Sequence, residues 1–238
     1  LRRATLSSQQ MEELGLARAK LATSRLVINC NLREEIFFGL PLVDSLLRSR
    51  RMYNLFEIDY VARDINPGRI RSRLMSEFKI YGAMPDVQLV LSRMSNTEHP
   101  NYAAFDYIGD PIAFTSPAHY GWYRFRLVEE AKARSTFTPA DSFVVEREQV
   151  FVWEDIDGVL ASRTGFEQRF WFEYINEGEE PFNPDGSVAY IEAQILGGVF
   201  LEDDADMLYH PETDQFDTAF YRKMRRLARS CRFALQTY

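Results

Sequence analysis

The residues most suited to chemistry lie in the segment YIEAQILGG, at positions 190–198. It is a strand-like apolar run that carries one carboxylate, Glu192, near its start and an amide, Gln194, two residues later. Burying a carboxylate without partners costs several kcal/mol, so strand carboxylates usually point to solvent. A carboxylate that is instead fixed inside a cleft can stabilise positive charge that develops on a substrate in the transition state. The residues alone leave both interpretations open.

Common signatures of catalysis and cofactor binding do not occur in the sequence. It contains no glycine-rich loop of the GxGxxG or GxxxxGK[ST] type and no GxSxG nucleophile motif. The three histidines, His99, His119 and His210, have no zinc-site spacing and no CxxC companion, which predicts no metal site. Two cysteines are too few for a disulfide framework and are compatible with a reduced intracellular compartment.

The charge balance bears on the kind of partner. The 238 residues include 28 Lys and Arg against 35 Asp and Glu, a formal net charge of −7. This balance predicts no nucleic-acid partner, because nucleic-acid binding needs basic residues that displace counterions from phosphates. Basic residues cluster near 48–51, 69–73 and 222–232, and such clusters are more often solvated helix faces than anion sites. No run of about 18 apolar residues occurs, so no membrane partner is predicted.

Hydrophobic periodicity predicts helices in the first part of the chain and mostly strands afterwards. Ser7 or Ser8 can cap a first helix, in which apolar residues recur at helical spacing. The elements predicted before residue 84 are a helix at 7–22, a strand at 25–32, a helix from Pro41, a strand at 52–62 and an Arg-rich helix from Pro67–Gly68 to about 81.

Beyond residue 84, β-branched and aromatic residues alternate with clusters of Pro, Gly, Asn and Asp. The strands predicted there are 86–94, 101–108, 121–130, 141–153, 168–175 and 188–201, followed by helical spacing over 218–236. This order predicts an α+β fold with mostly antiparallel strands. We expect one domain, with an N-terminal helix within 1–24, a core at 25–212 and a C-terminal helix within 213–238.

Three stretches resemble a known family. They are HPNYAAFDYI at 99–108, HYGWYRFRLVEEAKARSTFTPADSF at 119–143 and YIEAQILGGVFLEDDADMLYHPE at 190–212. Together they look like successive blocks of a poorly characterised domain family that is similar to the mono-ADP-ribosyltransferases. The resemblance implies a split antiparallel β-sandwich that grips NAD in a central cleft. It also implies transfer of ADP-ribose to a protein side chain, and it is compatible with a secreted, toxin-like effector.

The resemblance implies roles for individual residues. Glu192 would be the catalytic carboxylate, since cleavage of the nicotinamide–ribose bond develops positive charge that a fixed carboxylate stabilises. Either His99 or Arg33 would hold the adenosine or pyrophosphate side of NAD. The other NAD contacts that the resemblance implies are Tyr102 at the nicotinamide, Thr136 and Thr138 in the cleft, and His119, Tyr120 and Gly121 beside it.

The sequence also departs from the transferase pattern. Tyr190 stands where arginine-directed members carry the first Glu of Glu-x-Glu, which predicts that arginine is a poor acceptor. Two other functions stay open: an NAD glycohydrolase, in which water replaces the protein acceptor, and a non-catalytic binding domain that retains the fold. Without the resemblance, Asp141 and Ser142 are typical turn residues, and Tyr102 is a packing residue.

Overall fold

A computed structural model describes residues 6–36, 39–54, 57, 67–81, 99–109, 121–164, 167–183 and 188–238. Within these residues the chain combines several helices with an eight-stranded, mostly antiparallel sheet. The strand predicted at 86–94 lies outside the described residues, as do His119 and Tyr120. No helix in the described ranges is long and apolar enough to cross a membrane.

The helices are α1 (Ser8–Thr23), α2 (Leu42–Ser49), α3 (Pro67–Tyr81), α4 (Asp157–Leu160), α5 (Trp171–Glu177), α6 (Leu201–Asp204) and α7 (Thr218–Cys231). The strands are β1 (Arg25–Cys30), β2 (Glu35–Ile36), β3 (Leu40–Pro41), β4 (Asn101–Asp106), β5 (Tyr123–Leu127), β6 (Ser135–Thr138), β7 (Phe151–Val152), β8 (Glu192–Ile195), β9 (Ala205–His210) and β10 (Ala234–Thr237). Strands β2 and β3 pair with each other, and the rest form one sheet in the order β10-β9-β5-β1-β4-β8-β6-β7. The β9–β10 pair is parallel.

Helix α1 confirms the first predicted helix. The Ser7 side chain accepts from the Gln10 N–H, and the Gln10 side chain accepts from the Ser7 N–H, so a capping box starts the helix. Its buried side chains, Leu14, Ala17 and Leu21, follow helical spacing. They pack into the hydrophobic core that covers one face of the large sheet.

The two faces of the sheet differ in chemistry. Along β1, Leu26 and Ile28 point to the face that forms the hydrophobic core with α1, α2, α5 and α7, as strand alternation requires. On the opposite face, Ala104 of β4, Glu192 of β8 and Thr138 of β6 stand in one cross-strand row. The polar residues of the predicted site therefore share the face that is turned away from the main core.

The sheet opens between its two central strands. Strand β1 pairs with β4 only from Arg25 to Val27, opposite Asp106 to Ala104. Beyond these pairs, residues 28–30 stay paired with β5 and residues 101–103 stay paired with β8. The facing edges of β1 and β4 thus have no strand partner here, and both edges line a cavity. The split provides a cleft between the two halves of the sheet.

The strand predicted at 168–175 is wrong, because this segment forms helix α5. Its aromatic content is typical of strands, but its buried residues recur at helical spacing. They are Trp171, Phe172, Tyr174 and Ile175. Gly178, at φ 74°, ends the helix in the left-handed conformation that glycine adopts readily.

Two further strand predictions fail in the described residues. The segment 141–153 consists mostly of turns and 3₁₀ helix, and only Phe151–Val152 pairs as a strand. In the segment 52–62, Asn54 and Glu57 bond each other's N–H through their side chains, and Glu57 is helical. This reciprocal capping is typical of a helix start and competes with strand formation.

The C-terminal helix is shorter than its apolar spacing predicts. Helix α7 ends at Cys231, where Arg232 at φ 64° takes the left-handed conformation. The chain then turns back, and β10 adds a parallel strand beside β9. The C-terminal segment therefore contributes both a helix and an edge strand.

Gly121, implied by the resemblance to lie beside NAD, approaches the chain's own backbone. Its φ is 108°, and a Cβ atom there would lie 2.1 Å from the Cys30 carbonyl oxygen. Its role in NAD binding stays a prediction. We expect Gly121→Ala to lower the free energy of unfolding by about 3 kcal/mol or more, since strain and a backbone clash combine.

Gly109→Ala is the matched control for this measurement. Gly109 also has a positive φ, 75°, but nothing lies within 4 Å of an added Cβ. Urea denaturation should show a loss of only about 1 kcal/mol for this control, the cost of the left-handed backbone alone. Equal losses for the two variants would contradict a steric role for Gly121.

Candidate active site

Glu192 is buried at the first position of β8. Only 5% of the residue is exposed, and its backbone lies between Ala104 of β4 and Thr138 of β6. A strand carboxylate in this position is not a solvent-facing residue. Its oxygen Oε1 accepts from the Ser142 N–H at 3.1 Å and from the Gln194 side-chain amide at 2.8 Å.

Gln194 connects Glu192 to the two threonines of β6. The Thr136 hydroxyl donates to Gln194 Oε1 at 2.9 Å, which leaves the Gln194 amide nitrogen to act as donor. That nitrogen donates to Glu192 and also to Thr138 Oγ1, at 3.1 Å. The Thr138 hydroxyl in turn donates to the Ala140 carbonyl at 2.7 Å. The predicted cleft residues Thr136 and Thr138 therefore orient Glu192 through Gln194.

The turn after β6 holds the other hydrogen bond to Glu192. Asp141 Oδ1 accepts from the Phe143 N–H at 2.8 Å, the side-chain turn that the sequence predicts. Ser142 donates its N–H to Glu192 and accepts at its carbonyl from the Ser76 hydroxyl of α3, at 3.0 Å. The indole of Trp171 donates to the Pro139 carbonyl at 3.0 Å. Helices α3 and α5 thus fix the turn that fixes the carboxylate.

The electrostatic environment makes Glu192 an unusual acid. Burial, together with the negative charge of Asp141, raises the pKa of the Glu192 carboxyl to about 8. The hydrogen bonds from Ser142 and Gln194 favour the ionised form and offset part of this effect. A carboxyl group in this state changes protonation close to neutral pH, and a cation beside it would favour the carboxylate.

Glu192 faces a cavity of about 210 Å³ at the split of the sheet. Flat aromatic surfaces contribute to its wall from Tyr53, Tyr102, Phe143 and Tyr190. Its charged lining residues are Arg73, Asp141 and Glu192. The cavity therefore combines a carboxylate, a guanidinium and apolar rings, which is typical of ligand sites that bind by shape and orient by a few polar groups.

Two side-chain amide oxygens of cavity-lining residues are buried without a hydrogen-bond partner in the described structure: Asn29 Oδ1 and Asn101 Oδ1. Buried polar atoms are nearly always hydrogen-bonded, so the unpaired oxygen of Asn29, which by strand register shares the face of Glu192, is a candidate acceptor for a ligand that donates. An amide group meets this requirement.

His99 and Arg33 are the two alternatives implied to hold the adenosine or pyrophosphate side of NAD, and the structure places each among other partners. His99 is buried, and its Nδ1 lies 2.8 Å from the Glu77 carboxylate of α3. Arg33 bonds Tyr123, Asp214 and Asp217, and its guanidinium stacks 3.9 Å over the Phe220 ring. Neither residue lines the cavity with Glu192, whereas Tyr102 does.

Sequence reasoning missed several residues of this site. Gln194 could have been found, since residues two apart on a strand share a face, and Glu192 with Gln194 follows that spacing. The N–H of Ser142 and the guanidinium of Arg73 carry no signal in the sequence, because a turn and a helix from elsewhere in the chain bring them to the cavity. Asn29 and Asn101 become notable only once their unpaired oxygens are seen.

No family model and no curated protein matches this chain. The family resemblance of the three sequence blocks therefore stays a prediction. Within the described ranges, no three His, Cys, Asp or Glu side chains come together in a way that could hold a metal ion. The chemistry of the site is best judged from Glu192 and the cavity in front of it.

The raised pKa of Glu192 predicts how the free energy of unfolding depends on pH. The folded pKa of about 8 exceeds the ordinary 4.5, so between these values the folded chain keeps a proton that the unfolded chain loses. Stability from this group is present at low pH and falls as pH rises from 4.5 to 8. Glu192→Gln cannot ionise. We expect its stability relative to the wild type to increase by about 4 kcal/mol between pH 4.5 and pH 9.

Denaturant unfolding at a series of pH values measures this difference. Glu202→Gln is the control, because the Glu202 side chain is 47% exposed and pairs only with the exposed Arg50. Its stability difference from the wild type should change little over the same pH range. A pH-independent difference for Glu192→Gln would show that Glu192 is not held in a desolvated site.

Proposed function

We propose that this chain is an NAD-dependent mono-ADP-ribosyltransferase that transfers ADP-ribose to a protein side chain, with Glu192 as the catalytic carboxylate. The observation that carries the proposal is the buried Glu192 carboxyl, oriented by Ser142 and Gln194 at the wall of a cavity in the split sheet. The split between β1 and β4 supports the split antiparallel β-sandwich that the resemblance implies.

The cavity suits the nicotinamide end of NAD. Its volume of about 210 Å³ is below the 300–1,000 Å³ of sites that enclose whole drug-sized ligands, so it fits one end of a dinucleotide. The rings of Tyr53 and Tyr102 offer stacking surfaces for the pyridinium. The unpaired oxygen of Asn29, which shares the sheet face of Glu192, is an acceptor for a carboxamide N–H group. Arg73 lines the same cavity and can pair with a phosphate.

Glu192 then acts on the ribose. Its Oε1 is occupied by Ser142 and Gln194, and its Oε2 accepts no hydrogen bond within the described chain. In the proposed reaction, Oε2 accepts from a ribose hydroxyl, and the carboxylate stabilises the positive charge left at C1′ when the bond to the nicotinamide nitrogen breaks. The bond electrons leave with the nicotinamide, and the acceptor atom bonds C1′ and loses its proton. The cationic pyridinium itself favours ionisation of Glu192 on binding.

An NAD glycohydrolase is the second candidate, and Asp141 favours it. Asp141 lines the same cavity as Glu192, and its Oδ2 lies 3.4 Å from the Tyr190 hydroxyl. A second carboxylate near the reaction centre can take a proton from water, as in glycosidases. Water attack at C1′ would then replace attack by a protein side chain.

One assay discriminates the candidates. NAD labelled in both the nicotinamide and the adenylate part is incubated with the protein in the presence of cell-extract proteins as acceptors. A transferase releases nicotinamide and labels protein, whereas a glycohydrolase releases nicotinamide and free ADP-ribose in equal amounts. A non-catalytic domain that retains the fold releases neither, although millimolar NAD can still raise its Tm above the value seen with ATP.

Glu192→Gln tests the catalytic role directly. Glutamine keeps the volume and an oxygen that can accept from Ser142 and Gln194, but it removes the negative charge. We expect NAD cleavage to fall by about 10²–10³-fold, the usual effect of one electrostatic partner of a transition state. NAD affinity, measured by calorimetry, should change little. Wild-type turnover in this variant, with Glu202→Gln as the charge control, would exclude Glu192 as the catalytic group.

Tyr190 leads to a prediction about the acceptor. Its hydroxyl faces Asp141, and it offers no carboxylate to a guanidinium at the position where arginine-directed transferases carry one. We expect labelling of free arginine or agmatine to be at least about tenfold slower than labelling of a protein acceptor. Tyr190→Glu should raise agmatine labelling if this residue sets the preference. Rapid agmatine labelling by the wild type would instead implicate Asp141 in guanidinium binding.

A further inference from the structure

Helix α7 presents a row of arginines to solvent. Its apolar residues, including Phe220, Met224 and Leu227, are buried in the core. The exposed side carries arginines with the spacing i, i+3, i+4 and i+7, which places them on one face of the helix. They are Arg222, Arg225, Arg226 and Arg229, and with Thr218, Tyr221 and Ser230 they line a surface groove. We call these four residues the arginine row.

The arginine row makes no ion pair and no hydrogen bond within the part of the chain that the structure describes. Most other arginines in that part are paired: Arg25 with Glu129, Arg126 with Asp206 and Arg134 with Asp204. Like charges three and four residues apart destabilise a helix. The helix that carries these four cations has no acidic residue between Thr218 and Cys231.

We propose that the arginine row binds the phosphate backbone of a nucleic acid. The planar fork of an arginine matches phosphate oxygens in a bidentate manner. From Arg222 to Arg229 the row is about 10 Å long at a rise of 1.5 Å per residue. This length covers about three successive charges of a strand in duplex form, at one charge per 3.4 Å.

The surroundings of the row favour this partner over a membrane or a protein. A membrane-binding helix inserts apolar residues beside its basic ones, but the apolar residues of α7 are used in the core. A protein interface needs an apolar, well-packed centre. The large exposed apolar residue nearest in sequence is Phe216, which is 84% exposed and precedes the helix. A single exposed ring can stack on a nucleic-acid base. It is a small apolar surface for a membrane-binding helix or for the centre of a protein interface.

The net charge of −7 does not oppose binding at this place. At physiological ionic strength, exposed charges are screened beyond about 8 Å, so a phosphate at α7 responds mainly to the arginine row. The expectation of no nucleic-acid partner rests on the total charge and on treating the basic clusters as solvated helix faces. The total charge predicts no binding to oligonucleotides, and the arginine row predicts binding.

The test is fluorescence anisotropy with labelled single-stranded and duplex oligonucleotides at salt concentrations from about 50 to 200 mM. We expect the logarithm of the binding constant for duplex to fall with the logarithm of salt with a slope of about −3, as for about three phosphate contacts. The triple variant Arg222→Ala, Arg225→Ala, Arg229→Ala should lose at least about tenfold in affinity and about two units of slope. Alanine is the best helix former, so α7 should remain folded, which circular dichroism checks.

Arg147→Ala is the control, because Arg147 is also exposed and has no ion pair in the described residues. Its binding should match the wild type. NAD turnover, measured in parallel, should be the same in the triple variant as in the wild type, since the row lies outside the cavity. Equal binding by the triple variant and the wild type would overturn the proposal. So would tighter binding to vesicles of anionic lipid or to polyglutamate than to oligonucleotides at the same charge concentration.

Discussion

The buried carboxyl group of Glu192 is the constraint on which the arrangement of the site depends. A carboxyl removed from water must be neutral or compensated, and here hydrogen bonds from Ser142 and Gln194 favour its charged form. Gln194 lies two residues further along the same strand, whereas Ser142 lies 50 residues away in sequence, in the turn after β6. The Ser142 turn is held by Ser76 of α3 and by Trp171 of α5, two helices that pack from different directions. The position of one carboxyl therefore depends on most layers of the fold.

The split of the sheet is a second place where polar groups lie without partners from the neighbouring strand. An antiparallel pair normally continues until one strand ends, because each lost pair leaves backbone groups without partners. Strands β1 and β4 part while both continue, and the unpaired edges at residues 28–30 and 101–103 face the cavity. The side-chain oxygens of Asn29 and Asn101, one residue on each of these edges, also have no hydrogen-bond partner within the described residues. The fold loses stability where β1 and β4 lack their backbone hydrogen bonds, and a ligand could form hydrogen bonds with the same groups. A binding site is expected at such a place.

Particular residues show what the sequence could and could not predict. Local patterns were sufficient for α1, whose capping box and apolar spacing are contiguous, and for the shared face of Glu192 and Gln194. They failed at α5, where aromatic residues suggested a strand although their spacing was helical. They also could not assign Arg33, since Asp214 and Asp217 lie about 180 residues away and only the fold brings them to it. Contacts of this kind depend on topology, which periodicity does not contain.

The total charge does not show that arginines line two different surfaces. Arg73 lines the cavity with Glu192, and the arginine row lines a groove on α7. Helix α7 packs through Phe220 against Tyr123, on the face of the sheet that forms the core, whereas Glu192 stands on the opposite face. The arginine row does not line the cavity with Glu192, and Arg73 is the arginine among the described residues that do. A row of cations that does not line the substrate site is available to a different anionic partner.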